Sequence, residues 1–216
     1  MRFSELLETV GDLPLFKGSL LLAGDRDPGD VRRQLSRWTA SGKILQLRRN
    51  LYALATPWRR VQPHPFLVAN ELHHPSYVSL QSALAYHGMI PEAVPVTTSV
   101  TTARPIQIDT PFGRYIYRHM RPEVFFGYDR VSVPQKKKQE ALLAEPGKAL
   151  LDLVYFTPKG ETLEHLRSLR LEGIANLKEE DLHRYARRWK KKKIQRAVKN
   201  ILRMKEETIP GRRTQA

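Results

Sequence analysis

Four polar side chains in the first quarter of the chain have the chemistry to read nucleic acid. They are Arg32, Arg33, Ser36 and Arg37. A guanidinium group can donate two parallel hydrogen bonds to O6 and N7 of guanine, or it can grip a phosphate. Three more basic residues follow shortly afterwards, namely Lys43, Arg48 and Arg49. We assign the first four side chains to base edges in a DNA major groove and the last three to the DNA backbone.

Patterns that would indicate catalysis are incomplete. Gly147-Lys148-Ala149 is similar to the end of a phosphate-binding loop, but Leu142 stands where the loop needs glycine, and no Ser or Thr follows the lysine. Gly18-Ser19 with Asp25 and Asp27 partly matches a nucleotidyltransferase magnesium site. The aspartates precede a helix, however, and fit its cap better. The seven histidines show no ligand spacing, and there is no cysteine. We expect no enzyme activity, cofactor or metal.

The arginines of the first group belong to a strongly predicted helix. Asp27 precedes Pro28, and Asp30 follows in the first turn, an arrangement that favours a capped helix start. One apolar face is formed by Val31, Leu35 and Trp38, and Ser41-Gly42 ends the helix.

The neighbouring elements complete a recognisable order. Ser4 is predicted to cap a first helix with Leu6, Leu7, Val10 and Leu13 inward, and Ser19–Ala23 to form a short helical piece. A hairpin is predicted from Ile44–Leu47 and Leu51–Leu54 around the turn Arg48-Arg49-Asn50, where Asn tolerates the left-handed conformation. Helix, short helix, helix and hairpin is the order of a winged helix-turn-helix. Two alternatives stay open at this point. The third helix could be an amphipathic helix whose arginine face is only solvated. A winged helix could also serve as a protein-binding module.

The middle of the chain predicts a mixed α/β body. Helices are predicted over 64–73, 77–89 and 139–156, and strands over 94–100, 106–108, 115–117 and 128–133. The fold class is therefore α+β, with an amino-terminal winged helix-turn-helix domain and a mixed α/β carboxy-terminal domain that ends in basic helices.

Charge and proline content suggest where the domains divide. The chain of 216 residues carries a formal charge of +15. Residues 1–62 hold 11 basic and 6 acidic side chains (net +5), and residues 171–216 hold 14 and 6 (net +8). Basic ends of this kind favour a polyanionic partner. We predict a DNA-binding domain over 1–56, a proline-rich linker over 57–65, a second domain over 66–205 and a disordered tail over 206–216.

A second basic cluster lies near the carboxy terminus. It consists of Arg187, Arg188, Lys190, Lys191, Lys192 and Lys193, ahead of a helix with Ile194, Val198, Ile201 and Leu202 on one face. The pattern fits a helix packed on the body, and its cations could contact further phosphates. No apolar run approaches the ~18 residues of a membrane span. We therefore expect a cytoplasmic protein with no membrane partner.

Several motifs together resemble the AbiEi antitoxin family of type IV toxin–antitoxin systems. The motifs extend over most of the chain, and the more specific ones are Tyr77–Gly88 and Pro146–Leu153. Further matches are Val96–Thr101, Thr110–Gly113 and Leu169–Glu172. Two departures from the family pattern are the short second helix and Asn50, where glycine is frequent.

The resemblance implies a repressor and antitoxin. Such a protein would bind inverted repeats in double-stranded DNA at its own promoter and would oppose a nucleotidyltransferase-like toxin without a stable direct complex. It would be a monomer in solution, with two copies on the operator. Three alternatives stay open: an RNA- or toxin-substrate-binding interaction protein, a stand-alone regulator without a toxin, and a nucleic-acid-modifying enzyme that uses Asp25.

Overall fold

The protein is a mixed α+β structure with two β-sheets. A computed structural model describes residues 1–22, 26–134 and 138–208. The amino-terminal part contains α1 (Phe3–Val10), β1 (Phe16–Lys17), a 3₁₀ turn (Gly18–Leu22), α2 (Pro28–Ala40), β2 (Ile44–Arg48) and β3 (Leu51–Leu54). Its three strands form an antiparallel sheet in the order β1-β3-β2. Strand β1 was not predicted, because two residues are too few to show alternation.

The first helix differs from its prediction at both ends. It begins at Phe3, with Arg2 rather than Ser4 at the N-cap. Phe3 packs edge-on against the rings of Trp38 and Trp58, at 5.4 and 5.3 Å between centroids, which brings this residue into the helix. Leu13 was expected to face inward but is 38% exposed. It lies beyond the last helical turn, so the helical period no longer sets its direction.

The rest of the chain is built around a six-stranded sheet in the order β6-β7-β5-β4-β9-β8. Its strands are β4 (Ser76–Val78), β5 (Thr97–Thr101), β6 (Ile106–Thr110), β7 (Gly113–His119), β8 (Tyr128–Val133) and β9 (Gln139–Ala144). The helices are α3 (Pro65–Leu72), α4 (Leu80–Tyr86), α5 (Pro146–Phe156), α6 (Leu163–Ser168), α7 (Glu179–Trp189) and α8 (Lys192–Thr208). Short 3₁₀ turns cover Pro122–Val124 and Ile174–Asn176.

Two predicted helices start as strands in the structure. Residues 77–78 belong to β4 and residues 139–144 to β9, and the two strands pair in parallel, with Val78 opposite Leu143. Short apolar runs do not reveal by themselves whether they are helix or strand, and here the distant partner decides. The strand predicted over 94–100 is also shifted to Thr97–Thr101. Pro95 lacks the N–H that a ladder needs.

Helices cover both faces of the larger sheet. Val78, Ser99 and Tyr117 lie side by side across three strands, and Tyr117 Oη donates a hydrogen bond to the carbonyl of Ala69 in α3 at 2.7 Å. The alternate residues face α5, where the Arg118 guanidinium lies 5.9 Å from the centre of the Phe156 ring. The central strands are therefore buried on both sides.

The two predicted domains share a packed boundary. Leu47 and Leu51 of the hairpin belong to the hydrophobic core of the larger sheet rather than to the amino-terminal core. Within the predicted linker, Val61 is 5% exposed, and Gln139 Nε2 donates a hydrogen bond to the Gln62 carbonyl at 2.9 Å. The proline-rich segment has no helix or strand before Pro65, yet it packs against the body.

The carboxy-terminal helices lie against this body. Their buried side chains include Leu182, Tyr185 and Trp189 of α7 and Ile194, Val198 and Ile201 of α8. Helix α8 continues to Thr208, past the predicted boundary at residue 205, and the remaining part of the predicted tail, 209–216, lies outside the described residues. No helix within the described ranges is long and apolar enough to cross a membrane.

Candidate nucleic-acid interface

Helix α2 is fixed by its cap and by three buried side chains. Asp27 Oδ1 accepts a hydrogen bond from the Asp30 backbone N–H at 2.9 Å, and Pro28 occupies the first helical turn, where no N–H partner is needed. The side chains that anchor the helix to the amino-terminal core are Val31, Leu35 and Trp38. The predicted cap and apolar face are confirmed.

The other face of α2 presents the four side chains that we assigned to base edges. Arg32, Arg33, Ser36 and Arg37 are all exposed. At 3.6 residues per turn they span an arc of roughly 140°. Ser36 lies between Arg32 and Arg33 on this arc, so a short side chain separates two long ones. The helix therefore offers a convex, cationic face that no other described element covers.

Two of these arginines also line a basic cleft. The cleft lies between α2 and the start of α1, has a volume of about 650 Å³, and is lined by Arg33, Arg37, Arg2 and Arg26 together with Glu5, Asp27 and Asp30. Arg33 pairs with Asp30, and Arg26 pairs with Glu5 at 3.7 Å. Arg2 and Arg26 were not predicted as site residues, because they lie outside α2 and its helical periodicity.

The two arginines at the hairpin turn have different surroundings: Arg49 lies beside α2, and Arg48 contacts the end of α3. Arg49 is exposed and lines a cavity of about 400 Å³ together with Arg32, so α2 and the turn form adjoining walls. The Arg48 guanidinium instead donates a hydrogen bond to the Leu72 carbonyl at the end of α3. Lys43 is half-buried, with its ammonium 4.8 Å from the centre of the Phe3 ring. Of these three residues, Arg49 is the one placed to meet a ligand beside α2.

Asn50 holds the turn against the rest of the amino-terminal part. Its φ of +63° lies in the left-handed region that the sequence predicted. Its Oδ1 accepts a hydrogen bond from the Ser19 N–H at 3.1 Å, and its carbonyl accepts one from the Gly18 N–H at 3.2 Å. The hairpin tip is therefore attached to the 3₁₀ turn that precedes α2.

The carboxy-terminal basic cluster divides into engaged and free cations. Lys193 Nζ donates to the Thr157 carbonyl at 2.5 Å, Arg188 Nε donates to the Glu123 carbonyl at 3.1 Å, and Lys191 lies over the Tyr155 ring at 4.6 Å. Arg187, Lys190 and Lys192 are exposed and have no ion-pair partner among the described residues. The cluster thus contains three cations that stabilise the fold and three that face solvent.

A fully buried ion pair lies beneath these helices. Lys148 and Asp152, four residues apart on α5, are both 0% exposed and pair with each other. Asp152 Oδ2 also accepts hydrogen bonds from Ser79 Oγ at 2.7 Å and Tyr77 Oη at 3.0 Å. The Lys148 ammonium lies 4.6 Å from the centre of the Trp189 ring on α7. The cluster therefore connects the sheet, α5 and α7.

Burial dominates the electrostatics of this cluster. Desolvation raises the pKa of Asp152 and lowers the pKa of Lys148, while each charge partly offsets the effect on the other. Desolvation together with the Asp152 charge raises the pKa of Tyr77 well above its ordinary value. The sequence around Lys148 matches only an incomplete phosphate-binding loop. A lysine and an aspartate at i and i+4 in an otherwise apolar helix are the signal that could have predicted the pair.

Comparisons with known proteins give a fold and no function. No protein-family model matches the chain, and no curated protein matches it. The structure is similar to one described as the crystal structure of RV2827C protein from Mycobacterium tuberculosis, with a TM-score of 0.50 and 16% identity, over 92% of this chain and 76% of that one. The two chains have a similar fold. At this identity the likeness carries no statement about activity.

The structure describes only some of the residues that the catalytic alternative would use. Asp27 is the cap of α2, and Asp25 lies outside the described residues. Within the ranges that the structure describes, no group of three or more His, Asp or Glu side chains could hold a metal ion.

Proposed function

We propose that the protein is a sequence-specific DNA-binding repressor whose amino-terminal part acts as a winged helix-turn-helix. In this proposal α2 enters the major groove, and the β2–β3 hairpin is the wing. The observation that carries it is the single exposed face of α2 with Arg32, Arg33, Ser36 and Arg37, next to Arg49 at the hairpin turn. The element order and the sheet order β1-β3-β2 support it. The proposal includes no catalytic step.

The first test is binding to the DNA directly upstream of the gene, measured by fluorescence anisotropy. Arg33→Ala and Arg37→Ala should each weaken binding about 5- to 150-fold, the equivalent of about 1–3 kcal/mol, and should relax the preference at one base position. The matched control is Arg130→Ala on β8, an exposed arginine that pairs with Glu140 at 3.4 Å. Unchanged affinity in both α2 variants would overturn the assignment of α2 to the groove.

The antitoxin role is a separate proposal that depends on the resemblance to the AbiEi family. We infer that the second part of the chain opposes a nucleotidyltransferase-like toxin and that two copies of the monomer occupy inverted repeats in the operator. Co-expression with a neighbouring toxin gene should restore growth. The double variant Arg33→Ala/Arg37→Ala should still restore growth from a foreign promoter, because it retains the second part. If no such gene lies nearby, the stand-alone regulator becomes the better description.

A second candidate function is RNA binding by the carboxy-terminal helices. The observation that favours it is a trio of exposed cations, Arg187, Lys190 and Lys192. Structured RNA should then compete with operator DNA only weakly, and Lys190→Gln/Lys192→Gln should lower RNA affinity while leaving operator affinity unchanged. Equal losses for both nucleic acids would show that the trio only adds to the general charge.

A further inference from the structure

An apolar groove lies on the amino-terminal part, next to β1. Three exposed leucines occur within ten positions of the chain. They are Leu13, which is 38% exposed, Leu20 at 45% and Leu22 at 37%. Leu13 and Leu20 line a groove of about 470 Å³ whose walls also include Leu15, Leu51 and Leu67. We call it the Leu20 groove. A concentrated patch of this kind marks an interaction surface more often than scattered exposed leucines do.

The charge around the groove is balanced, unlike that of the whole chain. The charged residues in its lining are Lys17 and Glu71, whose Nζ and Oε2 atoms are 3.2 Å apart. The protein as a whole carries +15. Two copies therefore repel each other when their basic ends meet, but they can approach through this face without bringing like charges together.

One exposed leucine of the groove could fill the same groove in a second copy of the chain. Among the described residues, Leu20 is the most exposed large apolar side chain, and it lines a cavity together with Leu13, Leu15, Leu51 and Leu67. A two-fold axis near Leu20 would place Leu20 of each copy in the groove of the other, which is the self-complementary arrangement of an isologous interface. Beside it, β1 is an edge strand of the three-stranded sheet and, in the described part of the chain, pairs with β3 alone.

We propose that the Leu20 groove is a self-association surface whose occupant is a second copy of this chain, with Leu20 as the central contact. The ten residues that line the groove are fewer than the ~20–30 residues a side of a stable interface, so the dimer should form only at high concentration. The proposal concerns the free protein, and its test uses no DNA. Its failure would leave the proposed DNA binding untouched.

Sedimentation velocity over concentrations up to about 1 mM provides the first measurement. The unmodified protein should move from monomer toward dimer over this range, and Leu20→Glu should stay monomeric, because it would place two carboxylates in apolar surroundings. The matched control is Ile106→Glu, since Ile106 is 44% exposed on β6, away from the groove. It should dimerise like the unmodified protein. A protein that remains monomeric throughout, or equal effects of the two variants, would overturn the proposal.

Cross-linking tests the geometry directly, because the chain has no cysteine of its own. Leu20→Cys introduces a single thiol beside the postulated axis, and a short bismaleimide should join two copies in high yield. Ile106→Cys should give little dimer under the same conditions. Equal yields from the two variants would show that the copies meet at random. Both changes are at exposed positions, and matching thermal melts would establish that the variants are folded.

Discussion

At the scale of single residues, adjacent side chains of one type have different partners. Arg49 lines a cavity with Arg32, whereas the Arg48 guanidinium is bound to the Leu72 carbonyl. On α7, Arg188 donates to the Glu123 carbonyl and lies over the Phe126 ring at 4.2 Å, while Arg187 faces solvent. A count of basic residues therefore overestimates the cations that a nucleic acid could meet. Arg48 and Arg188, which already bind backbone carbonyls, should contribute more to the stability of the fold than to the affinity for nucleic acid.

The buried lysine of α5 gives the clearest residue-scale prediction. Lys148→Met should lower the free energy of unfolding by about 3–5 kcal/mol, because it leaves the Asp152 carboxylate buried without a cation. Adding Asp152→Asn should recover part of the loss, since the amide keeps an acceptor for Ser79 Oγ and Tyr77 Oη. Urea denaturation measures both changes. The control is Lys199→Met, an exposed lysine on α8, which should change stability little. A loss below about 1 kcal/mol for Lys148→Met would contradict a role for the pair in holding α7.

At the scale of elements, the β2–β3 hairpin depends on one turn residue for two tasks. Asn50 adopts a positive φ, and its side chain caps the 3₁₀ turn through the Ser19 N–H. Glycine would satisfy only the first task, because it has no side-chain oxygen to accept the Ser19 N–H. The side-chain contact is what ties the hairpin tip to the segment in front of α2.

A series at position 50 separates these two tasks. Asn50→Gly should cost about 1 kcal/mol for the lost hydrogen bond, and Asn50→Ala should cost about 1–2 kcal/mol more, because alanine resists the left-handed region. Asn50→Asp keeps an acceptor oxygen and should lie closest to the unmodified protein. Thermal melts rank the series. If Asn50→Gly were as stable as the unmodified protein, the contact to Ser19 would contribute nothing.

At the scale of the whole molecule, the two parts of the chain are joined by shared packing. Leu47 and Leu51 belong to the amino-terminal sheet, but their side chains pack in the core of the larger sheet. Arg48, which lies between them in sequence, donates a hydrogen bond to the Leu72 carbonyl at the end of α3. His73, which follows α3, sits at the same boundary, with Nε2 donating to the Arg104 carbonyl at 3.1 Å. Unfolding of one part therefore exposes the core of the other, and a single cooperative transition is expected.

The histidines near this boundary predict how stability depends on pH. Burial lowers the pKa of His64 and His73 from the ordinary value of 6.5. The unfolded chain then binds protons more readily than the folded one. The two neutral histidines therefore contribute fully to the free energy of unfolding above about pH 6.5, and this contribution is lost as the pH falls through their pKa values in the folded state. Denaturant midpoints should therefore decrease between pH 7 and pH 5.

Two conservative replacements identify the source of that slope. His64→Asn keeps an acceptor for the Phe66 N–H at the start of α3, and His73→Gln keeps a donor for the Arg104 carbonyl. Together they should flatten the decrease between pH 7 and pH 5. The exposed His183→Gln provides the control. An unchanged slope in the double variant would assign the pH dependence to other groups.

The sequence was sufficient where structure depends on near neighbours. The cap at Asp27, the apolar face of α2, the hairpin and the left-handed Asn50 are set by contacts within a few residues, and the structure confirms each of them. The exposed face of α2 follows from the same periodicity. Most of the candidate interface could therefore be predicted before any fold was known, although its function stays a proposal.

Only the tertiary structure decided the features that depend on distant partners. Residues 77–78 and 139–144 were predicted as helix and form parallel strands, because a parallel pair needs a partner far along the chain. The same reason hid the hydrogen bonds from Lys148 to Tyr77 and from Ser79 to Asp152, the contact of Arg48 with the Leu72 carbonyl, and the clustering of exposed leucines around one groove. Local pattern shows which side of an element is apolar. The partner against which that side packs is determined by contacts between segments that are far apart in the sequence.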